Sequence, residues 1–95
     1  MLFIVNPVSA LGHTQATWRA AKPILQSYGI KFQEAFTTGP GNASHLTAEA
    51  IRAGEKRVIA VGGDGTLNEV VNGYFDESGR AINDEVAIGL LPSGT

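Results

Sequence analysis

Apolar residues in this chain fall into three short runs and one partly alternating stretch, separated by segments of helical spacing. Leu2–Val5 is apolar without a break, as expected of a strand covered on both faces. Asn6-Pro7 ends it with a turn signal. From His13 to Tyr28 the spacing is helical, and Trp18, Ala21, Leu25 and Tyr28 share one face. Pro23 lies inside that segment, so the helix is expected to kink or restart there, and Gly29 to end it. Ile30–Thr37 alternates in part and predicts a second strand near a sheet edge. Thr37–Gly41 reads as a loop, with Asn42 as the N-cap of the next helix. In that helix Ala43, Leu46, Thr47, Ala50 and Ile51 recur every three or four positions, and Gly54 closes it. Val58–Val61 is a buried run and the third strand. It passes directly into Gly-Gly-Asp-Gly-Thr, after which Leu67, Val70, Val71 and Tyr74 form another helical stripe. Phe75–Glu85 is polar and reads as a surface loop; Val86–Leu91 is the fourth strand.

Strands and helices therefore alternate, which predicts an α/β fold: a three-layer α/β/α arrangement around a four-stranded parallel sheet. Right-handed crossovers place the C-terminal ends of all strands on one rim. The turns leaving that rim are Asn6–Ser9, Thr37–Gly39, Gly62–Thr66 and Pro92–Thr95, all rich in glycine, proline and hydroxyl residues. Ligands of open α/β sheets bind at this edge. Strand order 2-1-3-4 sets the first, third and fourth of these turns side by side, and is preferred to 3-2-1-4 for that reason.

Composition narrows the function classes. At 95 residues the chain is of single-domain size. A hydrophobic share of 43% and a charged share of 17% are those of an ordinary globular protein. The net charge of −2 offers no electrostatic footprint for nucleic acid. An anionic ligand would be held by backbone N–H groups and helix ends, or with a metal. The absence of cysteine excludes disulfides, thiolate metal sites and a cysteine nucleophile, and suits the cytoplasm. The first apolar run is too short for a signal peptide or a membrane span, and no basic segment precedes it. A buried strand that runs into Pro92-Ser93-Gly94-Thr95 leads to the expectation that residues 1–95 are one part of a longer protein.

The stretch Gly62-Gly63-Asp64-Gly65-Thr66 carries the candidate chemistry. Its glycines permit positive φ and leave room for a ligand against the main chain. The helix start behind them is an anion site in waiting. No lysine or arginine lies between Val58 and Tyr74, so the G-x-x-x-x-G-K-[ST] phosphate loop is not present here. The dinucleotide pattern G-x-G-x-x-G fails as well, because it would require glycine at Asn68. A purely structural reading is open too: Thr66-x-x-Glu69 has the form of a capping box. Asp64 suits either a water-mediated Mg²⁺ contact or a loop-bracing role. Ser9, Thr37, Ser93 and Thr95 are neutral donors suited to phosphate oxygens. His13 and His45 have no serine or carboxylate pattern around them and read as solvated or structural.

Gly62 to Gly73 closely resembles the nucleotide-binding motif of the diacylglycerol kinase catalytic domain family. That superfamily includes bacterial lipid kinases, sphingosine and ceramide kinases and, more distantly, NAD kinases and phosphofructokinases. Asn6-Pro7-Val8-Ser9 is similar to the family's Asn-Pro-x-Ser-Gly segment, and Thr37–Ala43 to its Thr-x-x-x-Gly-His-Ala loop. Pro92–Thr95 is similar to its Pro-x-Gly-Thr turn. The resemblance implies the N-terminal part of the NAD kinase/diacylglycerol kinase-like fold, binding ATP with Mg²⁺. It implies nucleotide contacts from Asn6, Pro7, Val8, Ser9, Ala10 and Thr37. It implies further contacts from Gly62, Gly63, Asp64, Gly65, Thr66, Leu67, Asn68, Glu69 and Thr95. The reaction implied is transfer of the γ-phosphoryl group to a lipid hydroxyl such as that of diacylglycerol. NAD-kinase-like chemistry and a non-catalytic nucleotide-binding module are the alternatives. The family's lipid pocket, most metal ligands and general base belong to a second, β-rich domain, expected beyond Thr95. A chain ending there is expected to be inactive alone. Peripheral membrane contact and homodimerisation are further expectations. Two departures stand out: Ala10 replaces the family's usual glycine, and Asn42 its usual histidine.

Overall fold

The structure, a computed structural model, describes residues 1–93. Four strands, β1 (Leu2–Val5), β2 (Gln33–Phe36), β3 (Arg57–Gly62) and β4 (Ala87–Pro92), alternate with three helices. These are α1 (His13–Ser27), α2 (Asn42–Arg52) and α3 (Asp64–Tyr74). All strand pairs are parallel and their order is β2-β1-β3-β4, as the rim argument requires.

The unbroken apolar runs are explained by two cores, one on each face of the sheet. Leu2 and Ile4 of β1 and Val58 and Ala60 of β3 pack with Ala43 and Ile51 of α2 and Val70 of α3. Phe3, Val5 and Val61 point the other way, onto Trp18 of α1. There Trp18 lies 4.7 Å from Phe3 and 5.5 Å from Phe32, ring centre to ring centre. Such aromatic contacts add about 0.5–1.5 kcal/mol each beyond burial.

Several local expectations are corrected. Helix α1 runs through Pro23 without a restart. Pro23 is exposed, so its ring faces solvent, while Trp18 on one side and Leu25 on the other hold the helix to the sheet. Tyr28 is the C-cap and is 78% exposed; it does not join the buried face. Val71 is likewise exposed, and the packed stripe of α3 consists of Leu67, Val70 and Tyr74. Asn42 is the first residue of α2, and its cap is Gly41 in a left-handed conformation. The Asn42 side chain instead accepts a hydrogen bond from the Thr38 N–H at 3.0 Å, bracing the preceding loop. Segment 75–85 carries an antiparallel bridge between Phe75 and Ala81. Within it the Asp76 carboxylate accepts bonds from the Ser78 hydroxyl and from the Ser78 and Arg80 amides. The Ser78 hydroxyl is the main reason its carboxyl is held below the usual range.

The tight turn Ser9–Gly12 between β1 and α1 has Ala10 at φ 53° and Leu11 at φ 55°. That left-handed backbone is the physical reason glycine suits position 10. Leu11 is 98% exposed, so its side chain returns nothing for the strain. A left-handed L-residue costs about 1–2 kcal/mol, against about 0.5–1 kcal/mol of extra chain entropy lost by glycine. Leu11→Gly is therefore expected to stabilise the chain by about 0.5–1 kcal/mol. Thermal denaturation followed by circular dichroism checks this, with a rise of a few degrees expected. Among the described residues no helix is long and apolar enough to cross a membrane.

Candidate anion-binding cleft at the sheet rim

Strand β3 passes into α3 through a single linking residue. Gly62, the last residue of β3, has φ 154°, and a Cβ there would lie 2.8 Å from Thr66 Oγ1 and 3.3 Å from Ser9 Oγ. Only glycine lets the Thr66 hydroxyl tuck against the strand end. Gly62→Ala is expected to cost about 1–3 kcal/mol by overpacking and to displace Thr66, read as a lower melting temperature.

Gly63 is the N-cap of α3 and Asp64 its first residue, so the helix begins earlier than a Thr66 cap would place it. The expected capping box does not form. Thr66 is buried inside the first turn, and the Glu69 carboxylate reaches across to accept the Gly41 N–H at 3.0 Å. Of the three glycines in this stretch only Gly62 has positive φ. Gly63 and Gly65 have extended and helical backbones, and a Cβ on either would meet nothing within 4 Å. Their lack of a side chain leaves the main chain bare on the cleft side. The first helical bond runs from Leu67 N–H to Gly63 O at 3.1 Å. The Asp64, Gly65 and Thr66 amides therefore precede the helical ladder. Asp64 sits where a carboxylate favours the helix dipole, and it is exposed.

The cleft has two lobes that share Asn6, Thr66 and Glu69. The first, of about 240 Å³, lies against the loop from β2 to α2, with Val8, Thr37, Pro40 and Ala43 in its walls. The second, of about 370 Å³, lies over the start of α3, with Ser9, Ala10, Gly63, Gly65 and Ser93. Neither lobe is lined by a lysine or an arginine. Behind the second lobe the fully buried Thr14 hydroxyl donates to Ser93 Oγ at 2.6 Å and touches Ser9 Oγ. The Ser93 N–H is fixed on Gly62 O at 3.1 Å.

The structure thus gathers Asn6, Val8, Ser9, Ala10, Thr37, Gly63, Gly65, Thr66 and Glu69 around one cleft. Pro7, Gly62, Asp64, Leu67 and Asn68 do not line it. Leu67 packs on the core instead, and Gly62 shapes the turn from behind. Thr95 lies outside the described residues. Thr14 escaped the sequence reading. Its signal was phase: it sits one turn before Trp18, a polar residue on the buried stripe.

Comparison with known proteins places these features in a family. The model of the diacylglycerol kinase catalytic domain matches residues 1–95. The sphingoid long-chain bases kinase 1 of Arabidopsis thaliana is 35% identical over 97 residues, covering 100% of this chain and 13% of that protein. The Escherichia fergusonii protein named "Probable lipid kinase YegS" is 40% identical over 94 residues, covering 99% of this chain and 29% of that protein. Among solved structures, "A putative diacylglycerol kinase from Bacillus anthracis str. Sterne" superposes with a TM-score of 0.73 at 25% identity. That match covers 99% of this chain and 30% of the other. The chain therefore spans less than a third of the length of these relatives. With its parallel 2-1-3-4 sheet and glycine-rich rim matched along its whole length, the chain belongs to the diacylglycerol kinase catalytic domain family.

Proposed function

We propose that this chain is the ATP-binding part of a lipid kinase, which transfers the γ-phosphoryl group of ATP to a lipid hydroxyl. The observation that carries the proposal is the bare start of α3: Gly63 and Gly65 open to the cleft, with the first-turn amides ahead of the helical ladder. An anion of several charges in a cleft with no basic lining has to be held by such amides, by hydroxyls and by the helix dipole. The second lobe supplies all three kinds of donor, and the one carboxylate on its wall, Glu69, is engaged by the Gly41 N–H, so the residues present fit a polyphosphate. Ser9, Thr66, Ser93 and the α3 amides would hold the phosphates; the first lobe, beside Val8, Pro40 and Ala43, offers an apolar wall for the rest of the nucleotide.

Magnesium fits a narrower role. Among the described residues no three acidic or histidine side chains gather into a metal site. Mg²⁺ keeps several waters and binds through phosphate oxygens plus one or two carboxylates, and Asp64 is the carboxylate at this helix start. Bound there, the ion would neutralise charge on the phosphates. Phosphoryl transfer depends chiefly on positioning and electrostatics, and this rim supplies the nucleotide's share of both. The acceptor pocket and general base would come from the remaining length seen in the relatives, with the lipid reached by peripheral contact from the cytoplasmic side. On this reading the chain alone binds ATP without phosphorylating lipid.

Two measurements test this. Calorimetric titration of the chain with ATP and Mg²⁺ is expected to show one saturable site. The full gene product, given radiolabelled ATP, Mg²⁺ and separate vesicles of diacylglycerol, phosphatidylglycerol or sphingoid base, is expected to label one lipid class. Labelled NAD in a parallel arm, with no labelled lipid in any other, would move the assignment to a small-molecule kinase.

A further inference from the structure

The hydroxyl groups behind the second lobe are more closely organised than a turn requires. Ser9 leaves β1, Thr14 opens α1, and Ser93 follows β4, so three separate segments meet at one point. Thr14 is completely buried, and Ser93 is 93% buried at the lobe wall, with 7% of its surface exposed. Each hydroxyl has a single proton. Thr14 gives its proton to Ser93 Oγ at 2.6 Å. Ser9 donates its own proton to the Asn6 carbonyl at 3.0 Å and shares that donation with the Thr14 oxygen it touches. Ser93 receives a proton, and among the described residues no group accepts its own. Its backbone is pinned by the bond from its N–H to Gly62 O. The remaining Ser93 O–H is on the lobe wall, close to the start of α3.

We propose that the Ser93 hydroxyl donates to an oxygen of a phosphate group bound in the second lobe, and that Thr14 is a positioning residue that fixes Ser93 for this task. The proposal rests on the nucleotide reading above, which already counts Ser93 among the phosphate donors, and extends it to Thr14, a residue outside every rim turn. A hydrogen bond from a fixed, nearly dry hydroxyl to a charged oxygen is stronger than one from a mobile surface serine. Thr14 acts at a distance: it touches no ligand, and its hydroxyl sets the direction in which Ser93 presents its proton.

The test uses the 95-residue chain with Ser93→Ala, Thr14→Val and Thr14→Ser. Each is titrated with Mg²⁺–ATP and, separately, with inorganic tripolyphosphate, and amide spectra monitor the fold. Ser93→Ala and Thr14→Val are each expected to weaken both ligands about tenfold, while Thr14→Ser stays within about twofold of the unaltered chain. Unchanged affinity in Ser93→Ala overturns the proposal. Equal weakening by Thr14→Ser and Thr14→Val overturns the role of the Thr14 hydroxyl. Should Thr14→Val fail to fold, Ser93→Ala and Thr14→Ser carry the decision. Binding of tripolyphosphate without ATP by the unaltered chain removes the nucleotide reading and leaves this one to the variants. Binding of neither removes both.

Discussion

Gly73→Val is expected to destabilise the fold by about 3 kcal/mol or more, the upper end of overpacking effects. A Cβ at Gly73 would lie 2.3 Å from the Ser44 backbone oxygen and 2.8 Å from Thr47 Cβ. The first of these is main chain of α2 and cannot rotate away. Thr47 is fully buried, with its hydroxyl bonded to Ala43 O at 2.8 Å, so it cannot yield easily either. The two helices would have to separate, opening the core beneath Val70 and Ile51. For a domain of this size each kcal/mol shifts the melting temperature by about 4–8 °C, so a fall of roughly 12 °C or more is expected. Alanine carries the same Cβ, so Gly73→Ala should show most of the loss. A melting temperature within a degree or two of the unaltered chain would mean that α2 and α3 are not packed as described.

The opposite behaviour is expected at Gly63. Its φ of −105° and ψ of −162° are open to any residue, and a side chain there meets nothing within 4 Å. It is also the N-cap of α3, where aspartate is among the preferred residues. Gly63→Asp is therefore expected to leave stability unchanged or raise it by a few tenths of a kcal/mol. Binding should respond otherwise. A carboxylate would stand at the mouth of the second lobe, where an anion meets the helix amides. Like charges about 4 Å apart repel by about 4 kcal/mol at an effective dielectric of 20, so a loss of at least about 100-fold in ATP affinity is expected. Calorimetric titration and a thermal melt on one preparation give both numbers. Affinity retained with stability intact would assign these glycines to the turn alone.

The contrast between Gly73 and Gly63 shows what the sequence could and could not reveal. Strand order was readable because it follows from local facts: which turns are rich in glycine and hydroxyls, and on which rim right-handed crossovers place them. The cleft was readable for the same reason, since Asn6, Thr37 and Gly63 all leave strand ends. Gly73 was not, because its requirement comes from Ser44 on another helix. Thr66 and Glu69 misled because a capping box is a local rule, whereas both side chains found partners elsewhere. Thr66 packs under Gly62, and Glu69 holds Gly41. Val71 and Tyr28 matched the helical period, yet period does not state how wide a stripe the neighbouring layer covers. Thr14 shows the converse: a hydroxyl on a buried stripe is informative even when no motif contains it.

The unequal layering of the sheet determines what a spectroscopist would observe during unfolding. Trp18 is the only tryptophan in the chain, and it reports from the side that α1 covers alone. Tyr74 packs on the opposite side, with α2 and α3. Intrinsic emission from the indole therefore follows detachment of α1, while the tyrosine signal reports the α2 and α3 layer through Tyr74 once Tyr28, at the end of α1, is replaced by phenylalanine. Coincident curves from the two chromophores would show that the sheet binds both layers into one cooperative unit. An indole transition at milder denaturant would mark α1, with the Ser9–Gly12 turn beside the cleft, as the part that opens first.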